Sequence, residues 1–167
     1  MLFGCSRPSV NPASGGPRLL FYTGPKYLLV LLGLYLLLQK QWKVFLGISL
    51  SVGLVAFLKS LNSQACPWDL IHYGGALPSI PLWKMWPATV MERPHCFPAG
   101  HASVGFCLFA LSFKHQDKGG WVFLPPLFLG WILGGYQMAK GAHFFSHTLA
   151  TMVICLAAGA FLVKKDT

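Results

Sequence analysis

Acid is what this sequence lacks. Asp and Glu number 4 in 167 residues against 13 Lys and Arg, a formal net charge of +9, and charged residues of both signs make up only 10% of the chain. Soluble domains carry about 25% charged residues to cover their surface, so a free cytosolic globule is excluded. Disorder needs low hydrophobicity, and the 54% apolar content and mean hydropathy of +0.56 exclude that too. What remains is an integral membrane protein. At about 20 residues per crossing, the length holds five or six helices and little else.

An excess of base raises nucleic acid as a partner. Here the basic residues stand singly between apolar runs, as Arg18, Lys26, Lys40, Lys43, Lys59, Lys114, Lys118, Lys164 and Lys165. That is the pattern of helix-end anchors and loop charges. No nucleic acid partner is expected, and some of these cations are available to an anionic substrate.

Residues 1–18 are rich in Pro, Gly and Ser and read as a flexible arm, with 19–167 as a single membrane domain. Leu2-Phe3-Gly4-Cys5 is faintly similar to a lipoprotein cleavage box, but no apolar segment precedes it. Five apolar stretches follow: Tyr27–Leu38, Val44–Leu58, Ala102–Phe113, Trp121–Tyr136 and Phe144–Val163. The first starts as early as Leu19 if Gly24-Pro25-Lys26 is helical. The fold class expected is all-α, a polytopic transmembrane bundle of about five helices.

The loops then alternate sides. Gln39–Lys43, Lys114–Gly120 and the tail from Lys164 share one face; Asn62–Phe97 and Met138–Gly141 share the other. The positive-inside rule makes the first face cytoplasmic, although the second also carries Lys59, Lys84, Arg93 and Lys140. With five helices the arm bearing Arg7, Arg18 and Lys26 falls outside against the rule, unless a further helix precedes it.

Five of the six histidines, His72, His95, His101, His143 and His147, fall on the outer loops or the helix ends facing them; His115 does not. His101 follows a Pro98-Ala99-Gly100 turn at the mouth of a helix, where exposed N–H groups and the helix dipole favour an anion. Gly141-Ala142-His143-Phe144-Phe145-Ser146-His147 opens the last helix in the same way, with two histidines four apart and so on one helix face. Three readings fit this pair. One is a metal site of i, i+4 type, without the intervening Glu of zinc proteases. Another is covalent catalysis, one ring attacking phosphorus while the other holds its tautomer. The third is a pair of interfacial histidines bonded to backbone.

At these residues the sequence resembles the phosphatidic acid phosphatase type 2 superfamily. Three signatures mark that family: Lys, six residues, Arg-Pro; Pro-Ser-Gly-His; and Ser-Arg, five residues, His, three residues, Asp. Here Lys59 is followed by six residues and Cys66-Pro67, the second signature reads Pro98-Ala99-Gly100-His101, and the third reads His143, three residues, His147. Order and spacing hold over Lys59–His147. The runs Cys66-Pro67-Trp68-Asp69-Leu70, Cys96–Ser103 and Gln137–His147 look like a bacterial membrane subgroup. The resemblance implies a lipid phosphatase of the bacterial inner membrane, its site facing the periplasm, acting without cofactor or metal on a lipid phosphate monoester or pyrophosphate. His143 would be the nucleophile, His101 the general acid and then base, and Lys59 and the Gly100 N–H the phosphate ligands.

The sequence departs from the family at four positions. Cys66 stands for the first-signature Arg, Ala99 for Ser, Gln137 for the third-signature Arg and His147 for Asp. Lys140 and Arg93 are the candidates to replace the lost cations, and His147 to accept a hydrogen bond from His143. The substitutions leave two rivals: a phosphotransferase of the same chemistry, and a lipid-phosphate-binding scaffold without efficient turnover. Cys66 and Cys96, both on the outer face, are expected to form a disulfide; Cys107 and Cys155 read as small core residues. Trp68–Pro87, with Trp68, Trp83 and Trp86, reads as an interfacial tryptophan belt, or more sharply as a lid on the lipid.

Overall fold

The computed structural model describes residues 24–79 and 95–163 of the chain. The arm 1–18, Trp83, Lys84, Trp86, Arg93, Lys164 and Lys165 lie outside the described residues. Among the described residues six α-helices make five rods: α1 (Gly24–Leu38), α2 (Trp42–Leu61), the broken rod α3 (Gly100–Phe106) and α4 (Phe109–Lys114), α5 (Leu124–Ala139) and α6 (Phe145–Val163). No strand occurs among the described residues; one isolated bridge joins Leu70 to Leu77. Among the described residues three helical segments are long and apolar enough to cross a membrane: Trp42–Leu61, Gly120–Ala139 and Phe145–Val163. The molecule is an all-α, membrane-spanning bundle.

Apolar composition builds the rods, and punctuation ends them. Pro25 sits in the first described turn of α1, and Pro125 and Pro126 in that of α5, where a missing N–H costs nothing. At the end of α5, Gly141 takes φ 71°. There the Ala142 N–H donates to the Gln137 carbonyl (2.9 Å) and Gly141 N–H to Met138 (2.9 Å), a left-handed cap that glycine alone adopts freely. Lys40 closes α1 with the same bond pattern at φ 54°.

Small residues hold the rods together. A Cβ on Gly105 would meet the backbone of Gly130, and one on Gly134 would meet the Thr148 side chain. Gly130 and Gly134 lie one turn apart on α5, so that helix touches α3 and α6 through a nearly bare backbone. Membrane helices use such faces because dispersion, not water exclusion, drives their association. Outside, Leu31, Phe57, Phe128 and Phe161 are exposed, as a lipid-facing surface requires. Inside, two apolar clusters lie at successive levels: Leu36, Val44, Ile48, Cys107, Ala110 and Val163, then Val55, Ala99, Ala102, Phe106, Phe109 and Cys155.

Three expectations change in detail. The stretch Ala102–Phe113 is one rod by composition but breaks at Cys107–Leu108, where Leu108 N–H bonds Gly105 and Leu111 N–H bonds Leu108, tighter i to i−3 turns. Residues Gly120–Phe123 are a separate 3₁₀ turn leading into α5. The last helix opens at Phe145, so His143 lies before it and does not share a helix face with His147. The glycine cap at Gly141 is the reason: the chain must leave the left-handed region before α6 can start.

Candidate active site

One end of the bundle collects the end of α2, the start of α3, the end of α5 and the start of α6. Two disparate loops are fastened there. The Cys66 and Cys96 sulfurs are joined as a disulfide with Cα atoms 5.2 Å apart, within the range such a bridge needs. Nearby, Cys96 N–H donates to the Gln64 carbonyl (2.9 Å) and Trp68 N–H to the Gly141 carbonyl (3.1 Å). The first loop is thereby attached both to the approach to α3 and to the corner before His143.

The approach to α3 runs through a cis Phe97–Pro98 peptide into Ala99, which is fully buried. The Thr151 hydroxyl sits 2.9 Å from the His147 carbonyl and 3.2 Å from the Ala99 carbonyl. These contacts set His101 relative to α6.

The histidines converge. The rings of His101 and His143 lie 6.4 Å apart between centroids and those of His143 and His147 5.8 Å apart. His143 and His147 are buried, and Phe97 and Phe144 each meet the His147 ring edge-on at 5.3 Å. No hydrogen bond joins His143 to His147, and the Nδ1 atoms of both are buried without a hydrogen-bond partner. The acceptor role expected of His147 therefore takes no direct form. Among the described residues no three His, Cys, Asp or Glu side chains converge as metal ligands would.

Cations surround the rings. The Lys59 Nζ comes within 3.8 Å of where a Cβ on Gly100 would stand, which sets the ammonium beside the start of α3. Lys140 is exposed at the end of α5, its Nζ 5.3 Å from the centre of the Tyr136 ring. Gln137, at the position of the family's arginine, is buried. Burial holds the His143 imidazole down to about 3, with the Lys59, His147 and His101 neighbours adding to the effect and the Cys96 backbone opposing it. Its ring is neutral, lone pair available, across the physiological range.

Of the expected site residues, His101, His143, His147, Lys59, Gly100, Lys140, Cys66 and Cys96 share this end of the bundle; Arg93 lies outside the described residues. Lys26 lies exposed on the first turn of α1.

A helical bundle built for a bilayer, with buried histidines and half-buried lysine gathered at one end, defines a class of membrane protein. The family model of the PAP2 superfamily matches residues 40–166, and the chain belongs to that superfamily. Its members are phosphatases, which places this protein in general terms among the phosphoric ester hydrolases of membranes. No curated protein and no solved structure matches the chain.

Proposed function

We propose that the protein hydrolyses a lipid phosphate monoester or pyrophosphate at the periplasmic face of a bacterial inner membrane. The observation that carries this reading is the 6.4 Å separation of the His101 and His143 rings, beside the Lys59 ammonium. That spacing suits a phosphoryl group: about 3 Å from the attacking nitrogen to phosphorus, and a hydrogen bond of about 2.8 Å from the leaving oxygen to the acid.

The neutral His143 ring attacks phosphorus, and the bond from phosphorus to the leaving oxygen breaks as His101 gives that oxygen a proton. An incoming phosphate offsets the positive charge around His101 and favours its protonated form. His101 then accepts a proton from water, whose oxygen attacks the phosphohistidine. Inorganic phosphate leaves and both rings return to their starting state. Lys59, Lys140 and Arg93 balance charge on the phosphate oxygens, and the Gly100 N–H meets the transition state. His147 acts through the shape and polarity of the wall beside His143, in place of a carboxylate.

The missing bond between His143 and His147 favours a second reading, a protein that binds lipid phosphate and turns it over poorly. Purified protein given a panel of lipid phosphates, beside His143→Ala, separates them. Phosphate release that vanishes in the variant supports the hydrolase. Binding without release supports the scaffold, and label passing to a second lipid indicates a phosphotransferase.

A further inference from the structure

A pocket of about 320 Å³ opens at the end of the bundle opposite the histidines. Two 3₁₀ turns, Gln116–Lys118 and Gly120–Phe123, fold over the gap between α4 and α5 and make its rim. Side chains fix these turns. The Trp121 indole N–H donates to the Lys118 carbonyl at 2.8 Å, and the buried Ser112 hydroxyl donates to the Val122 carbonyl at 2.7 Å. Gly119 reverses the chain between the turns at φ 107°, a conformation that glycine adopts without strain. The hollow is therefore set by the fold.

Its lining changes in character with depth. His115, Lys118 and Trp121 stand at the rim, and Leu108, Leu111 and Leu129 form the wall below. Leu129 lies five residues along α5 from Leu124, and Leu108 six residues back along the broken rod from Lys114. At 1.5 Å per residue that wall descends about 8 Å. Among the described residues that line the pocket none is acidic; Asp117, on the same turn as Lys118, is not one of them.

We infer that this pocket binds one anionic phospholipid from the leaflet opposite the histidine site. The Lys118 ammonium and a His115 ring N–H meet the headgroup phosphate, and an acyl chain follows the leucine wall. Basic pockets between membrane helices select anionic headgroups in this way, because each lysine near the surface adds attraction that a zwitterionic headgroup does not return. Tryptophan and lysine that serve only as interface anchors keep their polar atoms for headgroups and water. Here the Trp121 N–H is used inside the protein, holding the rim beside Lys118. The inference concerns a site apart from His101 and His143 and does not depend on the hydrolase reading.

The test uses the full-length protein in mild detergent with phosphatidylglycerol as the anionic probe, a phosphodiester and so not a monoester substrate. Native mass spectrometry counts retained lipid. Thermal unfolding is followed as phosphatidylglycerol, phosphatidylcholine or glycerophosphoglycerol, the same headgroup without chains, is added. Wild type is expected to retain phosphatidylglycerol and to unfold at a higher midpoint with it, as a ligand of the native state requires. Lys118→Gln is expected to lower retention roughly fivefold, the worth of one lysine against an anionic headgroup. Leu111→Trp keeps every charge, fills the wall and is expected to lower retention at least as far. Lys40→Gln, at the same end but outside the pocket, and Lys59→Met, at the histidine site, retain the lipid as wild type does. Equal retention of phosphatidylcholine, or an equal midpoint gain from the chain-free headgroup, overturns the inference. So does lipid lost in Lys59→Met but kept in Lys118→Gln, or lost equally in Lys40→Gln and Lys118→Gln. If Leu111→Trp fails to fold, Lys118→Gln decides alone, because its side chain is exposed and its loss leaves the packing intact.

Discussion

Ala99 and His147 are bonded backbone to backbone: the Ala99 N–H donates to the His147 carbonyl at 3.3 Å. The turn that presents His101 is thus hung on the first turn of α6, and the Thr151 hydroxyl lies within hydrogen-bond distance of the carbonyls of both residues. Thr151→Val keeps the volume and removes the brace. It is expected to cost about 1–2 kcal/mol, the worth of a buried hydroxyl's bond, and to lower kcat more than it raises KM. Thermal unfolding in detergent and steady-state kinetics check both.

Glycine contact between α3 and α5 gives a sharper contrast. Gly105→Ala drives a methyl into the Gly130 backbone and is expected to destabilise by roughly 1–3 kcal/mol or more. Gly135→Ala, on the same helix as Gly130 but with nothing within 4 Å of the new methyl, is expected to be neutral or to stabilise by up to about 1 kcal/mol. Unfolding midpoints of the two variants in one detergent decide the matter; equal midpoints would refute the packing account.

The Cys66–Cys96 bridge closes a segment with a sequence separation of 30. Loop-closure entropy puts its contribution at roughly 3–4 kcal/mol. Reduction is expected to lower the unfolding midpoint and the turnover rate together, because the bridge holds the approach to His101. Mass analysis after alkylation, with and without reductant, reports whether the two thiols are protected.

His143 gives a pH signature. Its folded value of about 3 lies below the ordinary 6.5, so as pH falls the unfolded chain takes up this proton first. The stability linked to His143 is complete above pH about 6.5 and is lost as pH falls through the window down to about 3. In nitrogen NMR of the ligand-free protein the His143 ring is expected to stay neutral from pH 8 to pH 5. Lys59→Met removes a neighbouring positive charge and is expected to move the titration upward, toward but not to 6.5, since burial remains the larger cause. A His143 ring that titrates near 6.5 in wild type would refute the buried-site description.

The rods were legible because apolar runs without charge have few other fates in a basic, acid-poor chain. Helix interruptions were not. The break at Cys107–Leu108 carries no Pro or Gly of its own, and it arises where α3 leaves its glycine contact with α5 and α4 turns onto α6. The Gly141–His147 run reads as the opening of α6, but the helix starts at Phe145, so His143 falls two residues before the helix face it was expected to share. His101, His143 and Lys59 stood out by spacing against a known family. The Schellman cap at Gly141 was readable in principle, since glycine after a long apolar run ends helices.

The broken rod has a consequence for depth. From Gly100 to Lys114 it rises about 22 Å at 1.5 Å per residue, whereas α2 and α6 reach about 30 Å, the thickness of a bilayer's hydrocarbon core. A bilayer placed with Lys114, Lys118 and Trp121 at one water boundary would leave His101 short of the other. On the proposed lipid phosphatase reading, a headgroup would reach His101 by sinking a few ångströms, or by the bilayer thinning around α3, without being lifted out of its leaflet.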